Sequence, residues 1–392
     1  MSFLAPDYRA GSLADVMPSV LAGMDVPGMA NVLGLPAASR VCVLLVDGLG
    51  WQLLREHADQ APFLTSLAAG REPISAGFPA TTATSVSAIG TGMPPGEHGV
   101  VGYSFAVGPD EVLNALGWRS QGNGAGGGDG DSSVDLRDRI VPEQFQPRAT
   151  AFERAAAAGV AVRLVGPAHH DGSGLNRAAL RGGRHRAAHA LGDLTSGVRD
   201  ELRGPGPILC YAYHGDLDLL GHRYGPGSDP WQEQLAVVDQ LAARIAAGLP
   251  PGGLLVVTAD HGMVAVAEQD RVDVDTEPAL LDGVRLFGGE ARTRHLYTHP
   301  GATDDVWRAW GEILGERALV LRRHEAIEAG WFGPRVAEHV RPRIGDVVVA
   351  AQGTLALIRS GVEPRSSRFA GHHGSLTSSE QLIPLLTASN SR

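Results

Sequence analysis

In this 392-residue sequence, two acidic residues closely follow apolar runs, and one of them is followed by a histidine. Asp47 follows the run 41–46 (VCVLLV), while Asp260 and His261 follow the run 254–258 (LLVVT) after one alanine. Each run predicts a buried strand that delivers a carboxylate to its C-terminal end, where open α/β sheets bind ligands. An ordinary strand followed by a turn remains the alternative for either motif taken alone.

A third apolar run, 207–213 (PILCYAY), leads into a candidate pair of metal ligands. Asp218 and His222 lie four residues apart, which places both side chains on one face of a helical turn. A carboxylate and a neutral imidazole together are typical ligands of a divalent transition metal. Asp216 is an alternative to Asp218 in this role.

Small hydroxyl residues crowd the start of the segment 77–103 (GFPATTATSVSAIGTGMPPGEHGVVGY). Threonine and serine favour helix N-termini, where free backbone N–H groups point outward and bind anions. A hydroxyl at such a position can meet an anionic group that the helix end already holds. A threonine-rich N-terminal cap without chemistry is the alternative.

Two histidine pairs have different surroundings. His372 and His373 lie in a glycine-flanked motif (GHHG) near the C-terminal end of the sequence. His169 and His170 follow a predicted strand in a polar loop, a setting more typical of surface histidines than of metal ligands.

The elements that must position these residues alternate between strands and helices, which predicts an α/β fold. Strands are predicted at 41–46, 161–165, 207–213 and 254–258. Helices are predicted at 12–22, with Ser12 as its N-cap, and at 51–57, 62–69, 150–158, 187–202 and 231–247.

The segment 264–345 differs from the rest of the chain, because charged and glycine-rich stretches alternate there with shorter elements. We interpret it as a cap inserted into a core formed by 1–263 and 346–392, with strand character returning at 346–350 and 355–358. The stretch 122–130 (GNGAGGGDG) has low complexity and predicts a flexible loop.

The composition excludes some partners. A formal net charge of −10 disfavours a nucleic-acid-binding surface. The two cysteines, Cys42 and Cys210, lie in apolar runs and predict buried free thiols in a reducing compartment. The N-terminal stretch does not read as a secretory signal, and no apolar run is long enough to span a bilayer, so we expect a soluble cytoplasmic protein without a membrane partner.

Five separated motifs together resemble the alkaline phosphatase superfamily of two-metal phosphohydrolases. They are LLVDGLG, FPATTATSVSAIGTG with PPGEHGVVGY, DLLGHRYGPGS, VVTADHGM and GHHG, in the family's order from about 41 to 375. The nearest branch is the nucleotide pyrophosphatase/phosphodiesterase and phosphonoacetate hydrolase type. The resemblance implies a three-layer sandwich with a central, mostly parallel sheet and an inserted cap. The cap and the segment 104–206 carry no recognisable family motif.

The resemblance also implies a ligand set for two metal ions. One ion is assigned Asp47, Asp260 and His261 with Thr82, and the other is assigned Asp218, His222 and His373. His373 is preferred to His372 because the motif places its histidine directly before glycine. Mixed oxygen and nitrogen ligands suit zinc, with manganese or iron as alternatives.

Thr82 matches the family's nucleophile position, with Thr81 and Thr84 as the neighbours that are easily confused with it. The implied reaction forms a phospho-threonine on Thr82 and then hydrolyses it. The family's phosphodiesterase branch places an asparagine where this sequence has Tyr103. The tyrosine hydroxyl can also donate a hydrogen bond, but its reach differs from that of an asparagine amide.

The expected function is therefore a metal-dependent phosphodiesterase or nucleotide pyrophosphatase acting on a small phosphorylated substrate. A phosphonoacetate-type hydrolase or a phosphomonoesterase is the alternative that Tyr103 leaves open. A mutase of the superfamily is disfavoured because such enzymes usually carry serine as the nucleophile. An inactive, metal-stabilised binding protein is the alternative from another class. The oligomeric state cannot be read from the sequence.

Overall fold

A six-stranded sheet forms the centre of the protein in the computed structural model, which describes residues 3–9, 11–121 and 133–390. The glycine-rich stretch 122–130 lies outside the described residues. Five strands are parallel, and the last strand of the chain runs antiparallel at one edge. Across the sheet the strands are Leu385–Ser389, Gly253–Thr258, Arg40–Val46, Ile208–His214, Ala161–Pro167 and Arg184–Ala188.

The apolar runs form the middle of this sheet because their side chains are buried on both faces, as is usual for parallel strands. Val46 pairs with His214, and Leu45 pairs with Thr258. The three central strands therefore end at the same level. The residues that follow them emerge side by side at one edge of the sheet.

Two groups of helices flank the sheet and complete a three-layer sandwich, which confirms the predicted fold class. One group contains Pro62–Ala68, Leu191–Leu202 and Asp229–Ala247, and the other contains Val16–Gly23, Thr82–Thr91 and Ala151–Ala157. The core segments also contain the helices Trp51–Glu56, Pro95–His98, Pro142–Phe145, Gly174–Ala179, Asp216–Tyr224 and Ser378–Gln381. The inserted segment contains Pro278–Leu281, Thr303–Leu314 and Arg323–Glu328.

The predicted helix 187–202 is shorter than expected. Arg184–Ala188 forms the edge strand of the central sheet, and the helix begins only at Leu191. The strand has no apolar periodicity, so its pairing with Ala161–Pro167 depends on tertiary hydrogen bonds rather than on local sequence.

The inserted segment has a four-stranded antiparallel sheet, in the order Val284–Glu290, Thr293–Thr298, Val347–Ala351 and Ala318–Arg322. A separate apolar cluster that includes Trp310, Val347 and Leu357 packs beneath it. The predicted boundary at 345 thus falls inside this sheet, because the strand Val347–Ala351 of the predicted core segment 346–392 pairs with two strands of the segment 264–345.

Small sheets complete the fold, and two of them link the inserted segment to the rest of the chain. Val264–Ala265 pairs with Gly371–His372, which brings the GHHG motif to the end of the strand Gly253–Thr258. Other pairs are Arg271–Asp273 with Ala356–Ile358 and Ile74–Ser75 with Leu382–Ile383, and a three-stranded sheet contains Ser104–Gly108, Glu111–Asn114 and Arg119–Gln121. Within the described part of the chain, no helix has the length and apolar character needed to cross a membrane.

Candidate active site

Four side chains converge where the central strands end. Nε2 of His261 lies 3.4 Å from Oδ1 of Asp47, 3.4 Å from Oδ2 of Asp260 and 3.3 Å from Oγ1 of Thr82. Thr82 Oγ1 is also 3.5 and 3.4 Å from the two oxygens of Asp47. All four residues are buried. We call this group the first cluster.

Thr82 is the first residue of the helix Thr82–Thr91, and Thr81 is its N-cap. The Ser85 hydroxyl donates to the backbone oxygen of Asp260 at 2.7 Å, which fixes this helix against the strand end. Thr84 is also buried, but its hydroxyl has no hydrogen-bond partner within the described residues. Of the three neighbouring threonines considered from the sequence, Thr82 is the one whose hydroxyl lies against Asp47, whereas the Thr81 hydroxyl bonds to Glu290.

Asp218, His222 and His373 form a second cluster. Nε2 of His222 lies 3.4 Å from Oδ2 of Asp218 and 3.2 Å from Nε2 of His373, which is 3.7 Å from Oδ1 of Asp218. Asp218 and His222 lie on one face of the helix Asp216–Tyr224, as their spacing predicts. Gly48 allows this helix to approach Asp47, because a Cβ atom at Gly48 would lie 3.0 Å from Cα of Asp218.

Three backbone carbonyls orient the three imidazoles. Nδ1 of His222 lies 2.8 Å from the Gly371 oxygen, Nδ1 of His261 lies 3.0 Å from the Gly262 oxygen, and Nδ1 of His373 lies 2.9 Å from the Ala80 oxygen. A carbonyl oxygen only accepts, so each Nδ1 carries the hydrogen. Each Nε2 consequently presents a lone pair to its cluster, an arrangement that metal-binding histidines share.

The two clusters are contiguous. The rings of His261 and His373 stack with centroids 3.6 Å apart. Atoms of Asp218, His261 and His373 that could bind a metal lie within 4.8 Å of one another, and so do those of Asp47, Asp260 and His261. The arrangement is one continuous site with His261 at its centre.

The donor set fits divalent cations in both geometry and chemistry. Ligand atoms about 2.0–2.1 Å from a tetrahedral zinc are about 3.3–3.4 Å apart, close to the separations in both clusters. Oδ1 of Asp218 and Oδ2 of Asp260 are buried without a hydrogen-bond partner among the described residues. Buried carboxylate oxygens normally have a partner, and a bound cation provides one.

Burial changes the proton affinity of these groups in the ion-free protein. Burial raises the pKa of Asp218 to about 7 and that of Asp260 to about 7. Burial and then the charge of Asp260 raise the pKa of Asp47. Burial lowers the pKa of His261 and of His373, which keeps both imidazoles neutral and able to bind a cation.

The structure separates the competing sequence candidates. The side chain of Asp216 is 62% exposed, and its Oδ2 lies 4.0 Å from Nε2 of His214. The carboxylate of Asp218 instead faces His222 and His373. Nε2 of His372 is buried but reaches no partner among the described residues, and its ring centroid is 6.2 Å from that of His222. His373 is therefore the member of the pair that joins the second cluster.

Two cavities meet at Thr82 and Asp218. One, of about 470 Å³, extends past Tyr213 to His169 and His170. His169 is exposed and His170 half-buried, and neither joins a candidate metal-ligand group among the described residues, in keeping with the surface character predicted for this pair. The other, of about 680 Å³, extends between core and cap. Residues from both units line it, including Tyr103, Glu290, Phe369, His222 and His373.

Sequence reasoning missed two residues next to the clusters. The Tyr213 hydroxyl donates a hydrogen bond to Oδ2 of Asp47. Glu290 reaches the site from the cap, where its Oε2 lies 4.0 Å from Nδ1 of His373. Tyr213 lies one residue before the end of its strand and Glu290 is the last residue of its strand. Tyr213 is not acidic and Glu290 follows two glycines, so the pattern of an acid after an apolar run points to neither residue. Burial raises the pKa of Glu290 to about 8 in the ion-free protein.

Solved structures share this fold. Murine ectonucleotide pyrophosphatase / phosphodiesterase 5, in an inactive form in complex with AMP, matches with a TM-score of 0.65 and 16% identity over 90% of this chain and 88% of its own. Phosphonoacetate hydrolase from Sinorhizobium meliloti 1021, in complex with phosphonoacetate, matches with a TM-score of 0.64 and 18% identity over 90% of each chain. At these identities the likeness concerns the fold alone.

Sequence comparison identifies a partial relative and the family of this chain. Phosphopentomutase from Anaeromyxobacter dehalogenans is 32% identical over 176 residues, which is 44% of this chain and 42% of that protein, so the match spans less than half of the relative. A sequence model described as type I phosphodiesterase / nucleotide pyrophosphatase matches residues 41–376. The resemblance inferred from the motifs is confirmed. Because that match covers most of the sequence, this chain belongs to the type I phosphodiesterase / nucleotide pyrophosphatase family.

Proposed function

We propose that this protein is a two-metal hydrolase of phosphoric esters that acts on phosphodiesters or nucleotide pyrophosphates through Thr82. The observation that carries the proposal is the position of Thr82 Oγ1, 3.3 Å from His261 and 3.4 Å from Asp47, at the junction of two cavities. A hydroxyl among metal-ligand side chains at a helix N-terminus suits attack on an anionic phosphorus centre.

Asp47, Asp260 and His261 with Thr82 would hold one divalent cation, and Asp218, His222 and His373 would hold the second. Such cations lower the pKa of a coordinated hydroxyl and neutralise the oxygens of an in-line displacement. The mixed carboxylate and imidazole set suits zinc, with manganese as the alternative.

The proposed reaction has two steps at Thr82. In the first step Oγ1 loses its proton and bonds to phosphorus, the bond from phosphorus to the leaving oxygen breaks, and the leaving oxygen takes up a proton. In the structure the Thr82 hydroxyl donates to Asp47. In the second step water attacks the phospho-threonine, the Oγ1–phosphorus bond breaks, and Thr82 regains a proton.

The two cavities support a substrate with substituents on both sides of phosphorus, because each provides room beside Thr82. A monoester or a phosphonate would need only one of them. Tyr103 lines the larger cavity together with Thr82, which supports a role in binding the substrate. The fold shared with phosphonoacetate hydrolase keeps phosphonate hydrolysis as the second candidate.

A substrate panel with three variants tests the proposal. Bis-p-nitrophenyl phosphate, p-nitrophenyl phosphate, a nucleotide sugar, phosphonoacetate and a phosphorylated pentose are assayed with added zinc or manganese. Thr82→Ala should abolish turnover while retaining bound metal, and Thr82→Ser should retain part of the activity. Thr84→Ala, a matched change on the same helix, should leave turnover near the wild-type level.

The outcomes separate the candidate functions. Full activity in Thr82→Ala would contradict the nucleophile assignment. Bound metal without turnover of any compound would indicate the inactive binding protein instead. Isomerisation of the pentose phosphate would indicate the mutase activity named for the sequence relatives.

A further inference from the structure

Glu290 brings a carboxylate into the site without belonging to either cluster. It is the last residue of the cap strand Val284–Glu290, and its side chain is 16% exposed. It lines the larger cavity with Thr82, Tyr103 and Asp218. A cap residue therefore faces the position where a substituent of the substrate would lie.

The Glu290 carboxylate keeps acceptor capacity at this cavity. The Thr81 hydroxyl hydrogen-bonds to it, but Oε1 is buried without a hydrogen-bond partner among the described residues. The closest imidazole nitrogen, Nδ1 of His373, is 4.0 Å away and already donates to the Ala80 oxygen. Oε1 of Glu290 can therefore accept a hydrogen bond from a bound ligand, because no described residue donates to it.

Nearby cations are committed elsewhere. The Arg294 guanidinium lies 2.7 and 2.9 Å from the oxygens of Glu363. Arg119, on the cavity wall, donates to Ser133, and Arg365 is exposed, so that solvent screens its charge. These arginines therefore do not pair with Glu290, and a cationic substituent placed beside it would favour the charged form of its carboxyl group.

The carboxylate is also held in place. A Cβ atom at Gly374 would lie 3.0 Å from Oε1, so the loop behind the GHHG motif packs closely against the side chain. The backbone of Glu290 pairs with Thr293 across the hairpin. A fixed acceptor loses little conformational freedom when a ligand binds.

We propose that Glu290 forms a substrate subsite that accepts a hydrogen bond from a donor substituent, preferring an ammonium to a hydroxyl group and rejecting a carboxylate. The inference rests on the proposed hydrolysis of phosphoric esters and specifies the substituent on one side of phosphorus. A buried acceptor left unpaired by the wrong substrate lowers affinity, and a second carboxylate at this position would add repulsion. Diesters of amino alcohols fit the site by this criterion, and carboxylated phosphonates do not.

A series of p-nitrophenyl phosphodiesters tests the subsite, because the leaving group is constant while the second substituent is aminopropyl, hydroxypropyl, butyl or carboxyethyl. Wild-type kcat/KM should fall in that order. Glu290→Gln should reduce the ratio of aminopropyl to butyl ester by about tenfold and raise the relative rate of the carboxyethyl ester. Glu290→Asp, which keeps the charge, should retain part of the preference. Glu277→Gln, the same change at an exposed cap position, should alter no ratio.

A binding measurement keeps this test separate from the proposed function. The affinities of the aminopropyl and butyl esters are measured by calorimetry with metal-loaded Thr82→Ala and with Thr82→Ala/Glu290→Gln. If no ester is hydrolysed by the wild type, the proposed function fails, but a loss of the affinity ratio in the double variant still supports the subsite. Equal effects of Glu290→Gln on all four esters, an unchanged affinity ratio, or the absence of any ester binding would overturn it.

Discussion

The Tyr213 hydroxyl donates a hydrogen bond to Oδ2 of Asp47, the oxygen that lies 3.4 Å from Thr82 Oγ1. One tyrosine thus fixes the carboxylate that faces the proposed nucleophile. The ring of Tyr213 is itself held by His170, with ring centroids 5.0 Å apart. Groups that orient a metal ligand in this way contribute to metal affinity.

Tyr213→Phe should therefore weaken metal binding at the first cluster by about 10–100-fold, because the ring packing is retained while the hydrogen bond to Asp47 is lost. Competition with a chromogenic chelator measures this affinity. Tyr211→Phe is the matched control, since Tyr211 lies on the same strand and its buried hydroxyl has no hydrogen-bond partner among the described residues. Equal metal affinity in both variants would exclude a positioning role for Tyr213.

Metal affinity should fall as the pH is lowered. Burial holds the pKa of Asp218 and of Asp260 at about 7 in the ion-free protein, so below that pH each carboxyl group must release a proton before it binds a cation. Calorimetry in buffers of different ionisation enthalpy measures the released protons and should find more of them at about pH 6 than at about pH 8. Metal binding without proton release over this range would contradict the shifted pKa values.

Removal of metal should abolish activity and lower the melting temperature. The two clusters bring buried carboxylates together, and a ligand that binds only the folded state stabilises it. Dialysis against a chelator followed by thermal denaturation, then addition of zinc or manganese, measures both effects. Unchanged activity after exhaustive chelation would contradict the two-metal proposal.

A fully buried ion pair ties the cap hairpin to the core. Nε and Nη2 of Arg292 lie 3.0 and 2.7 Å from the two oxygens of Glu380, and both side chains are 0% exposed. Glu380 Oε1 also accepts from the backbone N–H of Ser375, two residues beyond His373. Loss of one partner leaves the other charge buried and alone.

Arg292→Met should therefore lower the free energy of unfolding by about 3–5 kcal/mol, measured by chemical denaturation. The control is Arg308→Met, whose ion pair with Asp305 is exposed on both sides (56% and 82%) and is worth about 0–1 kcal/mol. Similar losses in the two variants would contradict a structural role for the buried pair.

The sequence was sufficient for residues whose position follows from local pattern. Asp47, Asp260 and His261 follow long apolar strands, and parallel pairing then brings these strand ends together. Asp218 and His222 share a helix face by their spacing alone. His373 has no local signal beyond its glycines, and only the family resemblance linked it to residues more than 150 positions earlier.

The remaining features depend on tertiary contacts. Glu290 reaches Thr81 because the cap folds over the core, which no local pattern encodes. The strand Val347–Ala351 has the apolar character of a core strand, yet it pairs inside the cap sheet. The sequence predicts strand character at 346–350 but not the partner of that strand, and it predicts no strand at 284–290.

Covalent trapping tests the central claim most directly. The metal-loaded protein is mixed with a radiolabelled phosphodiester substrate, quenched in acid within one turnover, digested and analysed by mass spectrometry. We predict one phosphoryl adduct, on Thr82, that is absent from Thr82→Ala and present in Thr84→Ala. An adduct on Thr81 or Thr84, or rapid turnover with no adduct on any residue, would contradict the account.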